Sequence, residues 1–292
     1  MSAPAYAGTF TALVTPFTTD GKLDEDRYRQ QIQRQLDGGV TGIVPVGTTG
    51  ESPTLDMDEH KRAITIACEF ADRTTVIAGV GANATDEAAE LHQHAKDAGA
   101  HAGLSVNPYY NKPTQEGLYQ HFAALSDRVD LPIVLYNIPG RCGVTMSPET
   151  VARLHADHNV PAIKEATGLP DMTTAIAGLC DIALLSGDDA LTLPLMSVGA
   201  RGLVSVATNL VPEKLVALVD LANANDFHAA GKLHAELFPL CRSLFLDGNP
   251  AGIKAAMQLI GTDTGVMRLP IVGASDATRQ TIKAEMTKLG LL

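Results

Sequence analysis

Several short stretches of the sequence carry side chains suited to covalent and acid–base chemistry on a small carbonyl compound. The central stretch is Val160–Gly168, an apolar run that ends in Lys164 and breaks at a glycine. A lysine at the end of a buried strand loses hydration, which lowers the pKa of its ammonium group and supplies a neutral amine able to attack a carbonyl. A single lysine in this position more often faces solvent, so the neighbouring stretches must decide between the two interpretations.

Two further strand ends offer groups that bind carboxylates or move protons. In Gly47–Ser52, the adjacent hydroxyls of Thr48 and Thr49 and the free backbone N–H groups suit a carboxylate, although a plain glycine turn before a helix has the same pattern. In Tyr136–Arg141, the phenol of Tyr136 could relay a proton and Arg141 could bind a carboxylate through two hydrogen bonds. Taken alone, an arginine at this position is more often a surface residue.

The remaining polar stretches are more ambiguous. Tyr109 and Tyr110 lie on a stiff loop between prolines, where packing over a barrel rim or at a subunit contact is as good an explanation as chemistry. For Asp188 and Asp189 we expect a turn and a helix cap. His92 and the next histidine are two residues apart and diverge on a helix, so no metal site is predicted.

The elements that must position these residues alternate along the chain. Eight apolar, β-branched segments are predicted as strands, with starts about 20 to 33 residues apart, which fits a strand and a crossover helix each time. They are Thr9–Val14, Gly42–Val46, Thr75–Val80, Ala102–Val106, Pro132–Tyr136, Pro161–Lys164, Ile182–Ser186 and Gly202–Val206. Asp56 with Glu59, and Ser147 before a proline, predict helix starts.

Eight such units predict an α/β fold, a (β/α)₈ TIM barrel with a C-terminal helical extension. The alternative is a doubly wound open sheet, but no Gly-x-Gly-x-x-Gly follows the first strand. We expect residues 1–208 to hold the barrel strands and most barrel helices. Residues 209–292 should hold the last barrel helix and the extension.

The composition narrows the class of protein. The chain has 292 residues, 45% hydrophobic and 19% charged, with a net charge of -11, which argues against nucleic-acid or anionic-membrane partners. Its four cysteines show no paired spacing. The N-terminus has no signal-peptide pattern, and no apolar run approaches the roughly 20 residues of a membrane span. We therefore expect a cytoplasmic protein.

Together the strand ends supply an amine nucleophile, two phenols, hydroxyls and a guanidinium. This set suits imine chemistry on a 2-oxo acid, because condensation of a ketone with lysine makes an electron sink that acidifies the neighbouring carbon. A pyridoxal-phosphate enzyme anchored on Lys164 is an alternative. It would need a phosphate-binding site after strands seven and eight, and the turns there are too short to be persuasive.

The motifs also resemble a known family. GTTGES, NPYYNKP, YNIPGR, IKEATG and SGDD occur in the order and at the spacing of the dihydrodipicolinate synthase family of pyruvate-dependent class I aldolases and lyases, over about Phe10 to at least Asn209. The resemblance implies that Lys164 forms a Schiff base with pyruvate and that no other cofactor is needed. It also implies condensation with L-aspartate 4-semialdehyde to give 4-hydroxy-tetrahydrodipicolinate in diaminopimelate and lysine biosynthesis.

The resemblance also assigns roles to individual residues. Tyr136, Thr48 and Tyr110 match the proton relay, with Tyr110 contributed by a neighbouring subunit of a tight dimer. The resemblance also favours a homotetramer built from two dimers. A further four positions match substrate-binding residues: Thr49, Gly187 and Val204 for pyruvate, and Arg141 for aspartate semialdehyde.

Other members of the family, and a non-enzyme, remain alternatives. Sialic-acid lyases share the lysine and the tyrosine but generally lack the second threonine and Arg141. Sugar-acid aldolases and dehydratases keep similar turns and are harder to separate. A catalytically silent binding paralogue is disfavoured because all the relay and nucleophile residues are present.

Feedback inhibition by L-lysine is the last implication of the resemblance. The inhibitor-binding positions of lysine-sensitive relatives match Ser52, His60, Asn83, Glu87 and Tyr109. Position 57 is Met where the well-studied bacterial pattern has a second histidine, so one polar contact is lost. Lysine is therefore expected to inhibit, but more weakly than it does in relatives with both histidines. The alternative is that these polar residues only stabilise a dimer interface.

Overall fold

The eight predicted strands form a closed parallel barrel. In this computed structural model, which describes residues 6–292, each strand pairs with the next and the eighth pairs with the first. The strands are β1 Gly8–Ala12, β2 Gly42–Val44, β3 Thr75–Gly79, β4 Ala102–Val106, β5 Ile133–Asn137, β6 Ala162–Glu165, β7 Ala183–Ser186 and β8 Gly202–Ser205. The predicted TIM barrel is confirmed, and the open doubly wound sheet is wrong.

Strands β1, β2, β3 and β8 end one or two residues earlier than the sequence predicts, and the early end of β2 bears on the site. Strand β2 was predicted to reach Val46 but ends at Val44. Pro45 has no N–H for a ladder bond, and Val46 has a φ of +53°, in the left-handed region that β-branched residues rarely adopt. Gly79 permits this bend, because a Cβ at that position would meet the carbonyl groups of Pro45 and Val46. Because β2 ends at Val44, the chain leaves the sheet there and enters the Gly47–Ser52 turn.

Twelve α-helices accompany the barrel in residues 6–292. They are α1 Glu25–Asp37, α2 Met57–Cys68, α3 Thr85–Ala98, α4 Gln115–Arg128, α5 Pro139–Cys142, α6 Pro148–Asp157, α7 Pro170–Leu179, α8 Thr192–Met196, α9 Pro212–Asn223, α10 Phe227–Ser243, α11 Ala251–Leu259 and α12 Asp276–Lys288. The predicted helix starts are confirmed: Asp56 and Glu59 form a reciprocal capping box on α2, and the Ser147 hydroxyl accepts the N–H of Thr150 on α6.

The inside of the barrel is filled with apolar side chains. Phe10, Val44, Ile77, Val134 and Leu185 belong to one buried cluster that also contains Tyr136 and Val204. Small residues make room for the side chains of this cluster: a Cβ at Gly42 would lie 2.6 Å from an atom of the Phe10 ring. The packed interior leaves polar groups at the carboxyl ends of the strands, where active sites of this fold lie.

The chain after β8 is helical, as predicted. Helix α9 packs on β1 and is the last barrel helix, while α10 packs on both α9 and α12, and α11 packs on α12. The placement of a unit boundary between residues 208 and 209 stays a prediction. Among residues 6–292, no helix combines the length and the apolar character needed to cross a bilayer.

Candidate active site

Lys164 lies at the carboxyl end of β6, directly opposite Tyr136 of β5 in the parallel register. Its side chain is buried, and Nζ lies 4.2 Å from the centroid of the Tyr136 ring. The pKa of Lys164 is lowered to about 8, chiefly by burial, while Asp189 opposes the shift and the charge of Arg141 adds to it. An appreciable neutral fraction at neutral pH makes this amine a competent nucleophile.

Tyr136 places a phenol beside this amine, where the sequence predicts a proton-transfer group. Burial raises the pKa of its phenol to about 12, while Arg141 and a hydrogen bond with Thr48 oppose the shift. The phenol is therefore protonated at neutral pH and can exchange its proton only with a close partner. Thr48 and Tyr136 line one small cavity beside Gly47 and Gly79. The structure thus brings three of the predicted catalytic side chains, Lys164, Tyr136 and Thr48, to one place.

The Gly47–Ser52 turn supplies hydroxyl groups at this edge. The Thr49 hydroxyl accepts a hydrogen bond from Asn249 Nδ2 at 3.0 Å, which leaves its proton free to donate. The Thr15 hydroxyl donates to the Gly50 carbonyl at 2.7 Å. Asn249 comes from the C-terminal extension and was not singled out from the sequence, because nothing local marks it as a contact of residue 49.

Of the two positions predicted to bind pyruvate through their backbone, Gly187 lies against the lysine. A Cβ at Gly187 would lie 3.1 Å from Lys164 Cε and 2.7 Å from the Ala166 Cβ, so glycine leaves the space that the lysine side chain occupies. Val204 is buried on β8, in the same cluster as Tyr136. Their role with substrate stays a prediction.

The expectation for the two aspartates is right for one and wrong for the other. Asp188 caps a short 3₁₀ turn by accepting the N–H of Ala190 at 2.8 Å. Asp189 is instead buried and accepts from the Ser205 hydroxyl and from the N–H of Val206 at 3.0 Å. Burial raises the pKa of Asp189 to about 6, against the effect of these hydrogen bonds. Its partners lie at the end of the next strand, which no local pattern reveals.

Arg141 lies at the mouth of the barrel, on the short helix α5. It is exposed, and Nη2 donates to the Asn249 carbonyl at 3.4 Å. It borders a groove of about 570 Å³ formed with the extension, whose lining includes Asp247, Gly248 and Val272. Its charge lowers the pKa of both Lys164 and Tyr136, so Arg141 lies within electrostatic range of these two groups.

Tyr110 does not reach the site of its own barrel. Its side chain is 90% exposed, and its φ of +71° places it in the left-handed region. An aromatic residue in this conformation is unusual, and such residues cluster at functional sites. The structure therefore does not bring Tyr110 together with Lys164 within one chain, which agrees with the predicted use of Tyr110 in a neighbouring subunit.

The predicted lysine-binding residues cluster behind the active site. Ser52, His60, Glu87 and Tyr109 line a cavity of about 260 Å³ together with Met57. We call it the rear cavity. The side chain of Asn83 reaches the same loop, where its Nδ2 donates to the Tyr109 carbonyl at 3.2 Å.

Burial shifts the pKa values of two residues of the rear cavity, His60 and Tyr109. His60 Nε2 lies 2.7 Å from the Gly79 carbonyl, so this nitrogen carries the proton, and burial lowers the pKa of His60. Burial raises the pKa of Tyr109, and the Glu87 carboxylate adds to the shift. The rear cavity and the cavity of Tyr136 have three lining residues in common: Ser52, Gly81 and Val106.

Comparison with known proteins agrees with this geometry. The model of the family described as the Dihydrodipicolinate synthetase family matches residues 5–289. The 4-hydroxy-tetrahydrodipicolinate synthase of a Nitratiruptor species is 49% identical over 286 residues, which cover 96% of this chain and 97% of the relative.

Two solved structures are similar over nearly their whole length. One is the chloride-inhibited dihydrodipicolinate synthase from Acinetobacter baumannii complexed with pyruvate, at 39% identity and a TM-score of 0.96, covering 99% of this chain and 100% of that chain. The other is the enzyme from Cyanidioschyzon merolae with lysine bound, at 37% identity and a TM-score of 0.95, covering 98% and 99%. The chain belongs to the dihydrodipicolinate synthetase family.

Proposed function

We propose that this protein is a lyase that condenses pyruvate with L-aspartate 4-semialdehyde to give 4-hydroxy-tetrahydrodipicolinate, on the route to diaminopimelate and lysine. The observation that carries the proposal is the buried Lys164 amine, whose pKa is lowered to about 8, against the Tyr136 ring. The names of the relatives support the choice of substrates.

The first half of the reaction forms an imine without a further cofactor. The neutral Nζ of Lys164 attacks the ketone carbon of pyruvate, and Tyr136 supplies the proton with which the carbinolamine oxygen leaves as water. Hydrogen bonds from Thr48 and Thr49, with the backbone near Gly187 and Val204, hold the pyruvate carboxylate. Each group acts from the end of a barrel strand or the turn that follows it.

The second half makes the new carbon–carbon bond and frees the enzyme. Loss of a methyl proton converts the imine into an enamine, which adds to the aldehyde carbon of the second substrate. The amino group of that substrate then attacks the imine carbon and displaces Lys164, which closes the ring. Tyr136, Thr48 and the Tyr110 of a neighbouring subunit pass the protons between the site and solvent.

The shared tyrosine implies an obligatory assembly. We propose a dimer in which each Tyr110 loop completes the partner's site, and a homotetramer built from two such dimers. The exposure of Tyr110 in a strained backbone conformation supports the dimer, because an exposed aromatic side chain gains little from burial within its own chain to offset that strain.

A substrate panel tests the proposed reaction. Pyruvate with aspartate semialdehyde should turn over, whereas sialic acid and 2-keto-3-deoxy sugar acids should not be cleaved at comparable rates. Borohydride added with pyruvate should trap a reduced adduct on the protein. Preferential cleavage of either sugar acid would refute the proposal in favour of another member of the family.

The Arg141→Ala variant should lose affinity for the second substrate. Without the guanidinium, the carboxylate of aspartate semialdehyde loses a charged hydrogen-bond partner worth about 1.5–3 kcal/mol, or roughly 10- to 150-fold in kcat/KM for that substrate. Adduct trapping with pyruvate should be largely intact. Steady-state kinetics with each substrate varied in turn measure the difference.

Arg242→Ala is a matched control, because Arg242 is an exposed arginine of α10. It should behave like the wild type. An unchanged KM for aspartate semialdehyde in Arg141→Ala, together with lost pyruvate binding, would place Arg141 in the pyruvate subsite instead.

We also propose that the rear cavity binds L-lysine as a weak inhibitor. Glu87 suits the α-ammonium, and Asn83 and Tyr109 suit the carboxylate, whereas the thioether of Met57 offers no hydrogen bond to the ε-ammonium. The Met57→His variant should therefore bind lysine more tightly, by a few-fold to roughly tenfold, the equivalent of about 0.5–1.5 kcal/mol. Calorimetry with and without pyruvate measures the affinity.

Met57→Leu is the control, because it keeps the apolar side chain at position 57 and should leave the affinity for lysine near that of the wild type. Absence of lysine binding at millimolar concentration in both the wild type and Met57→His would assign the polar residues of the rear cavity a purely structural role.

A further inference from the structure

Glu51 and Lys254 form an ion pair that is completely buried. Both side chains are 0% exposed, and Lys254 Nζ lies 2.5 Å from Glu51 Oε1, across 203 positions of sequence. Burying two charges is costly, and apolar replacements of such pairs are often neutral or stabilising. The pair therefore calls for a role other than stability, and neither residue takes part in the proposed reaction.

Both side chains of the pair also form hydrogen bonds with backbone groups of the C-terminal extension. The second oxygen of Glu51 accepts the backbone N–H of Arg268 at 3.1 Å, and Lys254 Nζ also donates to the Val266 carbonyl at 2.8 Å. The ring of Phe17 lies under the ammonium group, with 4.3 Å from Nζ to its centroid. Because both side chains also form hydrogen bonds with the surrounding backbone, the pair is a rigid connection.

This connection joins the C-terminal extension to the turn that carries the threonines. Glu51 follows Thr48 and Thr49 by two or three residues, and its φ of +55° is unfavourable for a residue with a side chain. Lys254 lies on α11, shortly after Asn249, which donates to the Thr49 hydroxyl. The extension therefore holds the turn at two neighbouring points.

These two contacts add to the hydrogen bonds within the turn and to that from Thr15, and they act on a strained conformation. A left-handed glutamate persists only where surrounding contacts determine its position. Burial lowers the pKa of Lys254, and the neighbouring Glu51 and Asp263 carboxylates oppose that shift. If the cation is removed, the Glu51 carboxylate is left uncompensated in the interior, which favours its movement towards water together with the turn.

We propose that Lys254 is a positioning residue for pyruvate: through Glu51 it holds the Gly47–Ser52 turn so that the Thr48 and Thr49 hydroxyls are aimed at the substrate carboxylate beside Lys164. The inference rests on the proposed function. It makes the C-terminal extension part of the substrate site, although none of its own side chains takes part in the chemistry.

The Lys254→Met variant tests the proposal, because methionine keeps the apolar stem and removes the charge. Release of the turn reduces the fraction of molecules competent to bind pyruvate, and apparent affinity falls by that fraction. We expect the pyruvate KM to rise about 10- to 100-fold, with kcat at saturating pyruvate within about threefold of the wild type. Lys283→Met, on the exposed face of α12, should leave both constants unchanged.

The Glu51→Gln/Lys254→Met double variant separates position from charge. It removes the uncompensated carboxylate but also the connection between α11 and the turn, so the pyruvate KM should stay raised as in Lys254→Met. Recovery to the wild-type value would show that the unpaired charge alone caused the change, and would overturn the positioning role of Lys254.

Melting temperatures and borohydride trapping complete the experiment. A folded Lys254→Met protein whose pyruvate KM is within about twofold of the wild type overturns the proposal, even if its melting temperature falls. If Lys254→Met does not fold, Glu51→Gln decides, and an unchanged pyruvate KM in that variant also overturns it. Failure of the wild type to trap pyruvate refutes the proposed function instead.

Discussion

Replacing Lys164 by arginine should abolish imine formation. A guanidinium keeps the positive charge but remains protonated, so it cannot supply the neutral amine that attacks pyruvate. We expect kcat/KM to fall by at least ~10³-fold, because the covalent intermediate is lost. Borohydride reduction in the presence of pyruvate, followed by peptide mass analysis, should show the adduct on Lys164 in the wild type and none in the variant.

A second lysine-to-arginine change makes the result specific to the nucleophile. The side chain of Lys164 is 6% exposed, whereas Lys283 lies on the exposed surface of α12. The Lys283→Arg control should therefore form the adduct at the wild-type rate. Labelling at a different lysine, or full activity in Lys164→Arg, would remove the basis of the proposed mechanism.

Mixing two inactive variants should restore activity if Tyr110 acts in the partner's site. Tyr110→Phe removes a proton-transfer group worth about 10²–10⁴-fold in rate, and Lys164→Ala removes the nucleophile. In a mixed dimer, one site combines the intact Lys164 of one chain with the intact Tyr110 of the other. At equal mixing with random exchange, about a quarter of all sites are complete, and activity should approach that fraction of the wild type.

The control for this experiment mixes Lys164→Ala with the Tyr110→Phe/Lys164→Ala double variant, which offers no intact lysine and should recover nothing. Native mass spectrometry verifies that the chains have exchanged. Exchange without any recovery in the first mixture would show that each barrel uses its own Tyr110, and the exposed position of this residue would then require a loop movement.

The strands could be predicted because their signal is local. Buried parallel strands are continuous apolar runs, and the predicted Ala102–Val106 coincides with β4. Lys164 and Tyr136 could be predicted because each ends such a run. The early end of β2 could not, since it depends on the left-handed backbone of Val46 and on the space above Gly79, which only the assembled barrel shows.

The supporting residues of the site could not be predicted for a related reason. Asp189 and Lys254 are ordinary charged residues in sequence, and their function depends on partners at the ends of other elements, such as Ser205 and Glu51. Sequence spacing gives no information about such pairs. Single residues of the sequence indicate which chemistry the site can perform. The contacts that position these residues join distant segments of the chain and cannot be inferred from the sequence.

The wall formed by Ser52, Gly81 and Val106 is common to the rear cavity and the cavity of Tyr136. A ligand that displaces this wall on one side changes binding on the other, and thermodynamic linkage makes the effect reciprocal. If lysine binds in the rear cavity as proposed, the factor by which it changes the dissociation constant of pyruvate equals the factor by which pyruvate changes that of lysine. The proposed inhibition then depends on the pyruvate concentration, and the shared wall couples the supply of pyruvate to the level of lysine.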